Sequence, residues 1–184
     1  SSVMILDSVS TIGESAFSGC SNLTTVDFGS NLKTIGRSAF SNTGLRSVIL
    51  PEGVDSIAHA AFYNCDSLKV VSIPSSLQYV KGGSSSDAVF GSCTNIDSIY
   101  WNAHNCATNQ PFYYTYNKRI RVVEFGDSIK HIPSSFCYGF DSLTTIIYPN
   151  HLQSIGENAF FSCDKLSSVM ILDSVSTIGE SAFS

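Results

Sequence analysis

LTTIIYPNHLQSIGENAFFSC, residues 143–163, holds the plan of the whole chain in one stretch. Leu143, Ile146 and Tyr148 are its first apolar set, and Ile146 and Tyr148 alternate with other residues as in a strand with one buried face. Pro149 then ends the strand and turns the chain. A second short extended piece, Leu152 to Ile155, runs into Gly156, and Ala159-Phe160 with Cys163 has the spacing of one helical turn presenting Ala and Phe inward.

The same stretch recurs along the sequence. Leu23-Thr-Thr-Val26-Asp-Phe28, Leu45-Arg-Ser-Val48-Ile-Leu50 and Leu68-Lys-Val-Val71-Ser-Ile73 match its first half. Ile96 to Trp101, Ile120 to Phe125 and Leu166 to Ile171 match it too, and the first residues lie 22, 23, 28, 24, 23 and 23 apart. The second half returns as Val9 to Cys20 and Leu32 to Phe40, and more loosely as Val54 to Cys65. A period near 23 is the mark of a stacked repeat architecture. Residues 1–184 therefore read as one solenoid array of about 7–8 coils, mainly β, with a parallel sheet on one face and short helical or 3-10 turns. An insertion falls at about 81–88, and an irregular coil spans 96–119.

Each coil carries about seven inward apolar side chains that it cannot bury alone. At roughly 1.5–3 kcal/mol per fully buried large side chain, a coil gains on the order of 10 kcal/mol gross, and ordering its backbone costs at least as much. Single coils should be unstable and the array cooperative. Stacking lines up Phe17, Phe40, Phe62, Phe90, Phe160 and Phe183 as a spine. Cys20, Cys65, Cys93 and Cys163 share a second register position and read as small inert thiols between coils. Cys106 and Cys137 are out of register and better placed for a bridge or a free thiol. There is no C-x-x-C pair, and His59, His104, His131 and His151 fall at dissimilar repeat positions, so no metal site and no cofactor are expected.

Two places could bind. Between Trp101 and Ile120 the framework fails, and Phe112, Tyr113, Tyr114 and Tyr116 crowd together among amides and two cations. Tyr114 and Tyr113 are expected to replace the missing spine Phe and Ala, while spare aromatics on a loop suit recognition. On the strand face, Ile49, Tyr100 and Ile147 point outward in one column, with Val70 and Val122 in the adjoining one; exposed together they would form an apolar stripe that a partner protein covers. His104 with Cys106 is a weak nucleophile pair that lacks an orienting third group. Gly82-Gly83-Ser84-Ser85-Ser86 lacks the order of a phosphate loop and reads as a surface loop. Asn22-Leu23-Thr24 is a glycosylation sequon at a turn.

Residues 1–18 and 167–184 are identical, SSVMILDSVSTIGESAFS, at an offset of 166. This second level of repetition suggests a window on a longer array, or a fibre-forming unit of 166 residues whose last coil docks on an equivalent first coil. Neither end reads as the polar cap that an isolated solenoid needs.

The motif halves L-x-x-I-x-[IL]-P and I-G-x-x-A-F-x-x-C resemble the BspA-like leucine-rich repeat family over nearly the whole chain. That resemblance implies a right-handed leucine-rich-repeat solenoid and a non-enzymatic role. It also implies an extracellular or cell-surface setting, with adhesion to a host matrix or cell-surface protein. Composition agrees in what it excludes. A formal charge of −5 with no Lys/Arg cluster leaves no basic footprint for nucleic acid, and no apolar run is long enough for a membrane span. The expected function is a repeat scaffold for protein–protein interaction. The alternative is a structural subunit of a filament made of 166-residue units.

Overall fold

The computed structural model describes residues 1–81, 88–104, 106–108, 111–112 and 119–184. Tyr113, Tyr114 and Tyr116, and most of the 81–88 insertion, lie outside the described residues. Among the described residues, fifteen short strands alternate between two faces of a β-solenoid. The first face carries β1 (Ser2–Met4), β3 (Thr25–Asp27), β5 (Ser47–Ile49), β7 (Val70–Ile73), β9 (Ser98–Trp101), β11 (Val122–Phe125) and β13 (Thr145–Ile147). The second carries β2 (Thr11–Ile12), β4 (Thr34–Ile35), β6 (Ser56–Ile57), β8 (Tyr79–Val80), β10 (Ala107–Thr108), β12 (His131–Ile132), β14 (Ser154–Ile155) and β15 (Thr177–Ile178). Every pairing is parallel, and each strand pairs with its counterpart one coil away.

The register follows the sequence framework. Val48, Val71, Ile99, Val123 and Ile146 sit side by side and point inward. On the second face Ile12, Ile35, Ile57 and Val80 do the same. These residues, the framework Leu/Ile positions and the Phe rings form one continuous buried cluster along the axis. The sheets are interrupted in two places: β1–β3 is separate from β5–β13, and β10 does not pair with β12.

The turn between the faces corrects an expectation. No helix occurs among the described residues. The residue before the Ala position of A-F-x-x-C is left-handed at Ser15, Ser38, Ala60, Ser135, Asn158 and Ser181, and the residue four on from that place is left-handed at Gly19, Asn42, Asn64, Ser92, Gly139 and Ser162. Left-handed residues at this interval cannot continue a right-handed helix. The backbone instead splits its hydrogen bonds. The N–H groups of Ala16, Ser18 and Cys20 donate to carbonyls three residues earlier, while those of Ser15, Phe17 and Gly19 donate to Arg37, Ala39 and Ser41 of the next coil at 2.8 Å each. The turn is thus a third inter-coil ladder.

Along this ladder the spine is laid down. Phe17 and Phe40 stack at 5.0 Å, Phe40 and Phe62 at 5.4 Å, Phe62 and Phe90 at 5.4 Å, and Phe90 and Phe112 at 5.1 Å, with planes within 12°. Phe160 and Phe183 stack at 5.2 Å near the other end. Phe112, only 3% exposed, therefore fills the spine place expected for Tyr114, and the Pro111 carbonyl accepts the Phe90 N–H as Ala39 does for Phe17. Between Phe112 and Phe160 the place belongs to Cys137, whose N–H donates to Ala159. Around it the size order inverts: Phe136 stands at the Ala position and Phe140 at the Cys position. Trp101, Phe125 and Phe136 close the gap with tilted and edge-on contacts at 5.0 and 5.5 Å.

Candidate interaction surface

The outward side of the first sheet is built by strand alternation. One outer column runs Ser47, Val70, Ser98, Val122, Thr145, and the other Ile49, Ser72, Tyr100, Glu124, Ile147. Each strand from β5 to β13 thus presents one apolar and one polar residue, and the apolar one changes column at every step. Ile49, Val70, Tyr100, Val122 and Ile147 form a zigzag rather than a straight stripe. Five strands at about 4.8 Å spacing give it a length of roughly 19 Å. Ile49 is 61% exposed and Ile147 45%, whereas Tyr100 and Val122 are half-buried.

Tyr100 is partly covered because it leans over the next coil. A side chain at Gly126 would meet its hydroxyl at 2.6 Å and the Asn102 amide oxygen at 2.3 Å, so only glycine leaves room for both. Asn102 is held there by accepting the Ser128 N–H at 3.0 Å. Burial, and then the carboxylates of Glu124, Asp127 and Glu52, push the Tyr100 phenol above its ordinary 10.0, so it stays a hydrogen-bond donor at neutral pH. His104, Asp127, Ser128, Lys130 and His131 line a cleft of about 360 Å³. No set of three metal-ligating side chains occurs among the described residues.

Of the four loop aromatics singled out in the sequence, Phe112 is removed from the surface by its place in the spine. An aromatic pair at the surface escaped notice: Tyr138, 52% exposed, stacks on the half-buried Phe161 at 5.0 Å. Both follow the spine position directly (Cys137 and Phe160), and aligning the coils on that position rather than on the A-F motif would have revealed them.

All six cysteines are free. The column has a structural role: Cys65 donates to the Phe40 carbonyl at 3.2 Å, Cys93 to Phe62 at 3.0 Å and Cys163 to Cys137 at 3.3 Å. Each thiol thus ties its coil to the spine of the preceding one. Thr43 stands in the column where a Cys is missing and donates to Phe40 at 2.8 Å. Cys20 is exposed, contrary to the buried column expected. Cys137 is not set apart for a bridge; it is buried in the spine, and burial holds its thiol well above the ordinary value. Burial also pushes Cys106 up to about 11, which leaves it protonated and a poor nucleophile at neutral pH.

At the far end, residues 168–172 run beside β13 without pairing with it. A cleft of about 400 Å³ opens between them and residues 144–148. No helix among the described residues is long and apolar enough to cross a membrane.

No curated protein matches the chain in sequence. Among solved structures, the leucine-rich repeat protein of T. pallidum is similar at 22% identity and a TM-score of 0.66, over 91% of this chain and 78% of its own. One from Bacteroides ovatus aligns at 20% identity over 100% of this chain and 76% of its own, with a TM-score of 0.42. The pneumococcal vaccine antigen PcpA aligns at 18% over 97% of this chain and 58% of its own, with a TM-score of 0.45. At these identities the likeness speaks for the fold alone, and only the first structure superposes well. The family model for the BspA type leucine rich repeat region matches six copies, over residues 1–115 and 84–184. With coil period, parallel register, ring spine and that match in agreement, the chain belongs to the BspA-type leucine-rich repeat proteins.

Proposed function

We propose that this chain is a non-enzymatic scaffold that binds a protein partner across its first sheet, in an extracellular or cell-surface setting. The partner class is a host matrix or cell-surface protein. The carrying observation is the zigzag of Ile49, Val70, Tyr100, Val122 and Ile147 on a sheet whose backbone is tied down by three inter-coil ladders. A rigid scaffold loses little freedom on binding, and scattered apolar anchors among Ser, Thr and Glu suit a protein surface better than a small-molecule pocket. The buried thiols are compatible with an oxidising setting, since packing between the coils puts them out of reach.

The test is solid-phase binding of the chain to purified matrix and cell-surface proteins, with I49D/Y100S/I147D as the surface variant. Binding that falls at least tenfold in the variant, with an unchanged melting temperature, supports the reading. Equal binding by both proteins refutes this face as the site.

A second reading, a filament subunit of 166-residue units, is favoured by the identity of residues 1–18 and 167–184. Electron microscopy of the purified chain tests it, with fibres of constant width as the expected image.

A further inference from the structure

The charges bordering the first sheet are sorted by sign. Where the strands begin, Arg46, Lys69, Asp97 and Arg121 stand in one row. The N–H groups of Lys69, Asp97 and Arg121 donate to the row member of the preceding coil at 2.9, 2.8 and 2.9 Å. Arg46, Lys69 and Arg121 are exposed. Arg119 adds a fourth cation, lining a cleft of about 310 Å³ with Asp97, Arg121 and Ser142. Asp97 engages one of the four, Arg121, in the only ion pair among the described residues. Asp66 and Asp141 stand three residues before Lys69 and Thr144, across buried Leu68 and Leu143.

Where the strands end, the sign reverses. Glu124 points outward on β11, and exposed Glu52 and Asp127 follow β5 and β11 in the turns. All three carboxylates reach the Tyr100 phenol electrostatically, so they gather around one aromatic side chain. The cations on this side belong to the approach to the second face. Lys33 brings its ammonium beside Gly53, and Lys130 shares a cleft with Asp127. Neither closes an ion pair with these carboxylates among the described residues.

Separation decides how these charges act. Arg121 and Glu124 are three residues apart on one strand, about 10 Å, and Asp127 lies further on. That exceeds the screening length of about 8 Å at physiological ionic strength. A partner therefore meets two local fields of opposite sign, with Val70, Val122 and Tyr100 between them, rather than the averaged charge of −5. The sign changes along the strands, which fixes the direction in which a charged segment can lie.

We propose that the partner contacts this sheet through a charge-polarised segment lying along the strands, with carboxylates toward Lys69 and Arg119, an apolar or aromatic centre against Val70 and Tyr100, and Lys or Arg over Glu124 and Asp127. This rests on the binding face proposed above and names the chemistry of its partner. On the first border a guanidinium can take a carboxylate with two parallel hydrogen bonds. On the second, a cation meets carboxylates and the Tyr100 ring together. A segment of zero net charge then binds better than a basic one, although the chain as a whole is acidic.

Biosensor titration of the full chain at low salt with four end-capped peptides of one core tests this: EEVYVKK, EEVYVEE, KKVYVKK and SSVYVSS. The bipolar first peptide is expected to bind at least tenfold tighter than each of the others. K69E/R119E/R121E and E124K/D127K should each lose most of that advantage at an unchanged melting temperature. Combining the two sets should restore it, because the peptide can then lie the other way round, a rescue that damage to the fold would not give. Equal binding of KKVYVKK would mean that net charge alone acts, and equal binding of SSVYVSS that the apolar residues alone act. Either result, or a bipolar advantage that survives both sets of substitutions, overturns the polarity. The binding face itself stands in those cases if I49D/Y100S/I147D still weakens the peptides. If no peptide distinguishes wild type from I49D/Y100S/I147D, the polarity and the face fall together.

Discussion

Truncating Phe62 measures how far one ring holds two coil interfaces together. Phe62 is fully buried and stacks on Phe40 and on Phe90 at 5.4 Å each. Replacing a buried Phe by Ala costs about 3–5 kcal/mol, most where the surroundings cannot collapse into the void. Here they cannot: the N–H groups of Phe40 and Phe62 bond to Ala61 and Val89 across the two interfaces at 2.7 and 2.9 Å and fix the coil spacing. Phe62→Ala should therefore fall near the upper end, about 4 kcal/mol, or roughly 8–16 °C in melting temperature for a chain of this length. Phe17→Ala is the control. That ring is half-buried and has a single stacked neighbour, so its loss should cost about 1–2 kcal/mol. Thermal and urea unfolding give both values. Amide exchange adds the location: coils around Phe62 should lose protection while Ile155 and Leu152 keep theirs, because a solenoid couples through nearest neighbours. Equal costs for the two variants, or a uniform loss of protection, would refute the ring stack as the element that joins the coils.

Two further outcomes follow from close packing and from burial. Gly36→Ala should cost about 1–3 kcal/mol, because its Cβ would press into the Gly13 backbone, while Gly13→Ala stays within about 0.5 kcal/mol; denaturant melts of the two variants compare them directly. In a thiol titration at pH 8, Cys20 should react fast and Cys106 slowly, with Cys65, Cys93, Cys137 and Cys163 reacting only in denaturant. Burial raises Cys163 from 9.0 to about 12 and Cys106 to about 11, so the unfolded chain loses these protons first. Stability should hold below pH 9 and fall as pH rises from about 9 to 12; two fast equivalents, or no alkaline fall, would contradict the packing.

The period, the inward Leu, Val and Ile positions and the spine of Phe17, Phe40, Phe62, Phe90, Phe160 and Phe183 were legible in the residues themselves. The reason is that each coil must bury the same face against its neighbour, so the same positions recur in every copy. The identity of the two terminal segments was legible for a simpler reason, being a comparison of letters. What letters could not carry was anything that depends on how one coil lies upon another. Spacing alone allows A-F-x-x-C to be a helical turn; only the left-handed backbone at Ser15, Ser38 and Asn158, fixed by the inter-coil ladder, excludes it. Pattern matching favoured a tyrosine for the vacant spine place, but the place goes to Phe112, because register there is set by the Phe90–Pro111 hydrogen bond. Cys137 looked misplaced until Phe136 and Phe140 were seen to exchange sizes with it across the packed layer.

The outward side of the first sheet divides in the same way. That Ile49, Val70, Tyr100, Val122 and Ile147 point outward follows from alternation within each strand. That they form one zigzag, with Tyr100 folded over Gly126, required the register between strands. The sequence alone determined which residues are apolar, how they are spaced and therefore that coils must stack, since burial acts on each unit locally. The tertiary structure decided which backbone groups pair, which ring fills each vacancy and which apolar side chains stay in water, because those depend on distances between residues some 23 positions apart.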